Sequence, residues 1–174
     1  MTDAKYFDAE QERRVELIDG RLVELGPVTF SHQDIASFLS EWFRRVLGRG
    51  HALTGPYPLR IPGGNLRLPE VLATPDRSQF ETNAATGAAF VAEVVGATPE
   101  DRERDYVTKR SEYAAAGIPE YRIVDPFDRV VLQLVLDGDA YREAGRFAAG
   151  GVVRSEAVPG FEVSVDELFE TVPR

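Results

Sequence analysis

Apolar residues recur at two different spacings along the first third of the chain. Residues 15–25 form two short apolar-rich runs on either side of an Asp-Gly dipeptide, which is favoured in the tight turn of a β-hairpin. Between residues 35 and 47 the apolar residues instead return every three or four positions, the period of an amphipathic helix. Ser31 and Asp34 precede this stretch at the spacing of a capping box. We therefore predict a hairpin followed by a helix that Ser31 caps.

Short apolar and β-branched runs bounded by turn residues predict the remaining strands. They cover residues 51–61, 66–74, the run around Glu93, 121–125, 129–137, 141–148 and 161–165, and a last short helix follows at 166–170. Thr98 and Pro99 give an N-cap and a first turn, so a second long helix should run from there to about Ala116. Strands and helices alternate only in part. This favours an α/β fold with a mixed β-sheet flanked by helices and with N-terminal and C-terminal β-hairpins.

Neither a repeat nor a linker is visible in the sequence. Residues 1–174 are therefore expected to form one domain, with residues 1–13 as a flexible or peripheral N-terminal segment. The charged N-terminus lacks the apolar segment of a signal peptide, and no apolar run approaches the roughly 20 residues that span a bilayer. We expect a soluble cytoplasmic protein without a membrane partner.

Composition and charge narrow the classes of function. The chain has no cysteine, so a thiolate metal site and a cysteine nucleophile are excluded. Its two histidines, His32 and His51, are too few for the usual structural zinc site. The net charge of −9 argues against broad non-specific binding of nucleic acid but allows a local basic patch.

Three acids interrupt apolar strand patterns: Glu16, Glu70 and Glu93. Glu93 has four aromatic or β-branched neighbours, so its carboxylate needs a cation partner, a metal or a raised pKa to be tolerated in a buried strand. Glu16 has the alternative of the solvent face of a half-exposed hairpin. Glu70 follows a proline, which suits an exposed strand beginning. Two carboxylates that approach each other on neighbouring strands would recruit a divalent cation or raise one pKa.

Lys109 stands out because only two of the 20 basic residues are lysines. It follows Asp105 by four residues and lies between Tyr106 and Tyr113 on the predicted second helix. One interpretation is an exposed ion pair with Asp105, which contributes only about 0.3–0.5 kcal/mol. The other is a compact ammonium beside a cleft, which positions or activates water in a way that arginine cannot.

A longer pattern resembles a known family. The segments VELIDGRLVEL, SHQDI, LPEV, FVAEVV and DYVTKRSEYAAAGIPEYRIVDP occur in this order. In that order they resemble the Uma-two family, restriction-endonuclease-like proteins of the PD-(D/E)XK nuclease superfamily that are mostly bacterial. The resemblance implies a restriction-endonuclease-like core and a Mg²⁺-dependent endonuclease that hydrolyses phosphodiester bonds of DNA, with Mn²⁺ as a substitute. It also implies a homodimer, and the apolar run at 129–137 fits that expectation unless this run closes the chain's own sheet.

The resemblance also implies roles for individual residues. Glu70 and Glu93 would be catalytic residues that bind the metal, Lys109 would orient or activate the attacking water, and Glu16 and His32 would support the same cleft. For His32, which falls in the first turn of its helix, a capping or core-lining place is the alternative. Eight arginines are predicted to contact DNA: Arg44, Arg45, Arg49, Arg60, Arg67, Arg102, Arg104 and Arg110. The alternative is that these arginines only form solvated helix faces.

Three positions depart from the family pattern. Glu70 stands where the family has aspartate, Gly96-Ala97 where it has Ser-Pro, and Arg122 where it has tryptophan. The extra methylene of Glu70 matters because Mg²⁺ requires near-ideal geometry at about 2.0–2.1 Å. Two other functions therefore stay open. One is a catalytically weakened nuclease-like fold that serves as an oligomerisation or protein-binding module, and the other is a small-molecule hydrolase with paired carboxylates.

Overall fold

The structure is a computed structural model that describes residues 6–7 and 14–173. The segment predicted to be flexible or peripheral, residues 1–13, lies outside the described residues except for Tyr6 and Phe7. No helix in the described part of the chain is long and apolar enough to cross a membrane.

Residues 14–173 contain twelve strands and four α-helices. The strands are β1 (Val15–Ile18), β2 (Arg21–Glu24), β3 (Ala52–Thr54), β4 (Leu59–Ile61), β5 (Asn65–Arg67), β6 (Val71–Ala73), β7 (Phe90–Val94), β8 (Glu120–Asp125), β9 (Val130–Asp137), β10 (Ala140–Phe147), β11 (Val152–Arg154) and β12 (Glu162–Ser164). The helices are α1 (Phe30–Leu47), α2 (Pro99–Glu103), α3 (Lys109–Ala115) and α4 (Val165–Leu168). A π-helical segment, Arg104–Thr108, joins α2 to α3, and 3₁₀ turns occur at Pro62–Gly64 and Arg77–Gln79.

A six-stranded mixed sheet forms the centre of the fold, in the order β10-β9-β8-β7-β6-β3. Strands β7 and β8 are parallel, and the other neighbours are antiparallel. The parallel pair is joined by the segment α2–α3, as expected because a parallel connection needs a long crossover. A four-stranded sheet, β2-β1-β5-β4, lies beside it, and β11 pairs with β12. The predicted α/β fold with a mixed sheet is confirmed.

The two faces of β7 differ in what covers them, because successive side chains of a strand point to opposite sides. Phe90 and Val94 belong to the apolar cluster that α1 and the C-terminal segment cover. Val91 and Val95 belong to the cluster on the opposite face, together with Tyr113 of α3. Glu93 lies midway between Val91 and Val95 in the strand, so its side chain points to the same face of the sheet, the one that α3 covers.

Several predicted boundaries were wrong. Residues 51–61 and 66–74 each form two short strands instead of one, because β3 and β6 pair in the central sheet while β4 and β5 pair in the smaller one. Helix α1 is capped by Thr29 instead of Ser31, and the Thr29 hydroxyl accepts a hydrogen bond from the backbone N–H of His32. The apolar strand β9 pairs with both β8 and β10, so it closes the chain's own sheet.

The substitution at Arg122 lies on the face of the sheet opposite Glu93. The buried Arg122 guanidinium packs against the rings of both Phe90 and Phe161, 5.1 and 5.2 Å from their centroids, and is 2.8 Å from the Glu120 carboxylate. Arg122 is thus held as a cation over two aromatic rings and does not reach the face that carries Glu93.

Candidate functional site

A pocket of about 80 Å³ lies where the segment before β1, the loop after β2, the end of β7 and the α2–α3 helix meet. Nearly half of the residues that line it are charged. The charged and imidazole side chains that line it are Arg14, His32, Glu70, Glu93, Asp101, Arg104, Asp105 and Lys109. Four of the five residues predicted for the site therefore line one pocket, and the fifth, Glu16, lies behind it.

Glu93 lies at the base of this pocket with 1% of its surface exposed. Its Oε1 is 2.8 Å from the Lys109 Nζ and accepts a hydrogen bond of 2.5 Å from the Tyr113 hydroxyl. Burial raises the pKa of Glu93 well above its ordinary value, and although Lys109 opposes this, the neighbouring Glu70 carboxylate adds to the rise. The buried strand therefore tolerates Glu93 through a cation partner together with a raised pKa.

Glu70 is half-buried just before β6, beside the strand that carries Glu93. Its Oε2 accepts a weak hydrogen bond of 3.4 Å from the backbone N–H of Val94, and its Oε1 is 3.9 Å from Arg14 Nη2. Glu70 and Glu93 line the same pocket, and the Glu70 carboxylate adds to the rise in the pKa of Glu93.

Lys109 is only 3% exposed, so an exposed pair with Asp105 was the wrong alternative. Its Nζ lies 2.8 Å from Glu93, 3.4 Å from Asp105 and 3.9 Å from Glu16. Burial alone would lower the pKa of Lys109, but the three carboxylates raise it above its ordinary value. The ammonium therefore stays charged at neutral pH, and it can orient or stabilise a group but cannot accept a proton.

Glu16 is fully buried, so the alternative that placed it on the solvent face was wrong. Its carboxylate accepts hydrogen bonds from Arg67 Nη1 at 2.6 Å and from the backbone N–H of Leu68 at 3.1 Å. Arg67 in turn donates to both carboxylate oxygens of Glu112, each at 2.7 Å. Burial would raise the pKa of Glu16, but Lys109, Arg67 and the Leu68 amide together lower it. Glu16 is therefore a charged support behind Lys109.

Asp105 is a site residue that the sequence analysis did not single out. It is 1% exposed, lines the pocket and pairs with Lys109. Burial raises the pKa of Asp105 to about 6, and Lys109 and Arg104 oppose the rise while Glu93 adds to it. The four-residue spacing between Asp105 and Lys109 was the available signal.

The π-helical segment keeps several acidic and basic residues on the pocket side. In a regular α-helix, residues four apart drift by about 40° around the axis, so a long series turns away from any one neighbour. The wider π turn takes up part of this drift, and Asp101, Asp105 and Lys109 all line the pocket. Such π segments are frequent at functional sites.

His32 contacts the backbone of the Glu93 strand. Its Nε2 is 2.7 Å from the carbonyl oxygen of Val94 and 3.1 Å from that of Val95. Carbonyl oxygens only accept, so Nε2 carries the hydrogen. Its Nδ1 is buried and has no hydrogen-bond partner among the described residues. His32 therefore binds the backbone at the C-terminal end of β7, beside the pocket. Neither of its ring nitrogens hydrogen-bonds to the Glu93 carboxylate in the described residues.

The predicted arginine rim is only partly present at the pocket. Arg104 lines it, and so does Arg14, which the sequence analysis did not include. Arg67 is instead buried between Glu16 and Glu112. Arg102 pairs with Asp125 at 2.6 Å, and Arg110 donates to the carbonyl oxygen of Tyr141.

The donor set of the pocket suits a hard divalent cation. Glu70 and Glu93 offer carboxylate oxygens, which Mg²⁺ prefers. No group of three or more His, Asp or Glu side chains converges on one point in residues 6–7 and 14–173. A cation here would need water or a substrate phosphate for its other positions, and Mg²⁺ is commonly held by one or two carboxylates in this way.

Comparison with known proteins gives a consistent assignment. A crystal structure described as a putative nuclease belonging to DUF820, from Anabaena variabilis, superposes with a TM-score of 0.69 over 93% of each chain, at 14% sequence identity. No curated protein matches the chain. The Uma2 family, described as a putative restriction endonuclease, matches residues 3–166. The chain belongs to this family, the Uma-two family that its motifs resemble.

Proposed function

We propose that the protein is a Mg²⁺-dependent endonuclease that hydrolyses phosphodiester bonds of DNA, with Glu70 and Glu93 as metal ligands and Lys109 at the attacking water. The observation that carries the proposal is that two carboxylates line one pocket with a buried ammonium, and that Lys109 Nζ lies 2.8 Å from Glu93. Membership of a nuclease-like family supports the same reaction class.

A bound Mg²⁺ would polarise the phosphate and stabilise the negative charge that develops on it. The chain's own residues would then do three things. The Tyr113 hydroxyl fixes the rotamer of Glu93. Arg67 fixes the carboxylate of Glu16, which lies 3.9 Å from Lys109 Nζ. The charged ammonium of Lys109 orients the water and stabilises the transition state, while proton removal falls to water or to the substrate itself.

The size of the pocket favours a polymeric substrate over a small molecule. At about 80 Å³ it is well below the roughly 300–1,000 Å³ of pockets that enclose a whole small ligand. A phosphate group and a cation would occupy it while the rest of the substrate stays outside. This argues against the small-molecule hydrolase and supports a nucleic-acid strand.

Two observations favour the non-catalytic alternative, in which the fold serves as an oligomerisation or protein-binding module. Lys109 already compensates the charge of Glu93 at 2.8 Å, so the buried strand is tolerated without a metal. The glutamate at position 70 favours this alternative as well.

A homodimer remains part of either proposal, and light scattering of the purified protein tests it.

Mn²⁺ binding separates the two functions. Mn²⁺ binding is measured by electron paramagnetic resonance or calorimetry on wild type, Glu93→Ala and Lys109→Ala. Wild type and Lys109→Ala should bind Mn²⁺, whereas Glu93→Ala should lose binding and keep its fold. Glu162→Ala, which removes an exposed glutamate of β12, is the matched control and should bind like wild type. Equal Mn²⁺ binding by Glu93→Ala and wild type would make the site assignment wrong. Absence of binding even with a short DNA present would favour the module.

A further inference from the structure

The formal charge of the pocket bears on how a phosphate could enter it. Four acids line it, and only three side chains with a permanent positive charge oppose them. The acids are Glu70, Glu93, Asp101 and Asp105, and the cations are Arg14, Arg104 and Lys109. With all four acids ionised the pocket would carry a net charge of −1, and one divalent cation would change it to +1. Lys109 is engaged by buried carboxylates, so an incoming phosphate depends on the two arginines.

Arg104 reaches the pocket from the π-helical segment. Its Nη2 lies 2.9 Å from Asp101 and its Nε lies 3.5 Å from Asp105. The Nε atom is buried and has no hydrogen-bond partner of acceptable geometry in the described part of the chain. Neither ion pair engages Nη1, and a third of the side chain is exposed. The two aspartates therefore aim the guanidinium while leaving donors for a ligand.

Arg14 reaches the same pocket from the segment before β1. Its Nη1 donates to the carbonyl oxygen of Gly26 at 3.3 Å, and its Nη2 is 3.9 Å from Glu70. The second distance is too long for a strong hydrogen bond, so that nitrogen is held near the metal-binding carboxylate without being satisfied by it. Arg14 and Arg104 thus approach the carboxylates from two different segments of the chain.

We infer that Arg14 and Arg104 form a phosphate-binding pair that holds the phosphodiester of the substrate against the carboxylates. The inference rests on the proposed function for the identity of the ligand, but its chemistry is that of any phosphate monoester or diester. Guanidinium groups suit this role because they stay charged and donate from a planar fork that matches phosphate oxygens.

Phosphate binding tests the pair without any need for turnover. Inorganic phosphate is titrated by calorimetry into wild type, Arg14→Ala and Arg104→Ala, with and without Mn²⁺, and Mn²⁺ affinity is measured separately on the same proteins. Arg154→Ala is the control, because it removes one positive charge from a side chain that is 70% exposed and does not line the pocket. Arg14→Gln and Arg104→Gln replace any alanine variant that does not fold.

Each pocket variant is expected to weaken phosphate binding about tenfold, the loss of one charge-assisted hydrogen bond, while the control stays within twofold. Mn²⁺ affinity should stay constant or increase, because a repelling cation has been removed. This opposite response separates a ligand-binding role from a structural one, in which both affinities and the Tm would fall together.

Three results would overturn the inference: no phosphate binding by wild type, wild-type phosphate affinity in both arginine variants, or a parallel loss of phosphate and Mn²⁺ binding. Arginine-dependent phosphate binding in a protein that binds no Mn²⁺ would uphold the pair and refute the proposed metal-dependent function. The two proposals can therefore fail separately.

Discussion

The replacement of Lys109 by methionine keeps the apolar stem of the side chain and removes only the ammonium. Glu93 and Asp105 then lose a cation at 2.8 and 3.4 Å, and both stay buried. Removal of one partner of a buried pair costs about 3–5 kcal/mol, because the other charge is left uncompensated. For a chain of this size each kcal/mol lowers the Tm by roughly 2–4 °C, so we expect a decrease of about 6–20 °C at pH 7.

Thermal unfolding of wild type and Lys109→Met at pH 7 and pH 5 measures this effect. The difference between them should shrink at pH 5, because carboxylates without their cation take up protons in the folded state and become neutral. The double variant Glu93→Gln/Lys109→Met should recover much of the loss, since neither member of the pair then remains charged. Equal stability of Lys109→Met and wild type at pH 7, with the same dependence on pH, would refute the description of Lys109 as the cation that compensates these carboxylates.

Three further substitutions test separate parts of the site. The pKa of Asp105 rises from 3.8 to about 6 in the folded protein, so this group lowers stability as pH increases from about 4 to 6. In Asp105→Asn, the free energy of unfolding in urea should fall by roughly 3 kcal/mol less than in wild type between pH 4 and pH 6. The same dependence of this free energy on pH in both proteins would contradict the prediction. Glu70→Asp should tighten Mn²⁺ binding if the family geometry is restored, whereas unchanged affinity favours the non-catalytic module. Gly96→Ala places a methyl group on the Asp101 carboxylate and so disrupts the capping box of α2, which should cost about 0.5–2 kcal/mol in chemical denaturation; wild-type stability would mean that Asp101 does not fill that space.

The sequence was sufficient to predict the helices and hairpins whose apolar residues recur at a regular spacing and whose turns contain characteristic residues. The hairpins, α1 and the α2–α3 segment were predicted, because the pattern of a single segment decides them. The splitting of residues 51–61 and 66–74 was missed, since it depends on which distant strand each half pairs with. Local pattern carries no information about that choice.

The same distinction applies to the site. Glu93 was conspicuous because a charge within an apolar run is costly wherever the run is buried. For Glu16 the pattern of its hairpin left the solvent face open as an alternative, and only Arg67 and the Leu68 amide, about 50 residues away, explain its burial. Asp105 and Arg14 look like ordinary surface residues in the sequence. Their place in the pocket follows from the helix register and from the path of the chain before β1.

The hydrogen bonds behind the pocket join parts of the chain that are made at different times. Glu16 bonds to the Leu68 amide 52 residues later, and Arg67 bonds to Glu112 45 residues later. Loops of this length must close before such contacts form, and their closure costs chain entropy. During synthesis, the cluster cannot assemble until Tyr113 has left the ribosome. A partly made chain therefore contains Glu16 and Glu93 before the cluster that buries them around Lys109 can form.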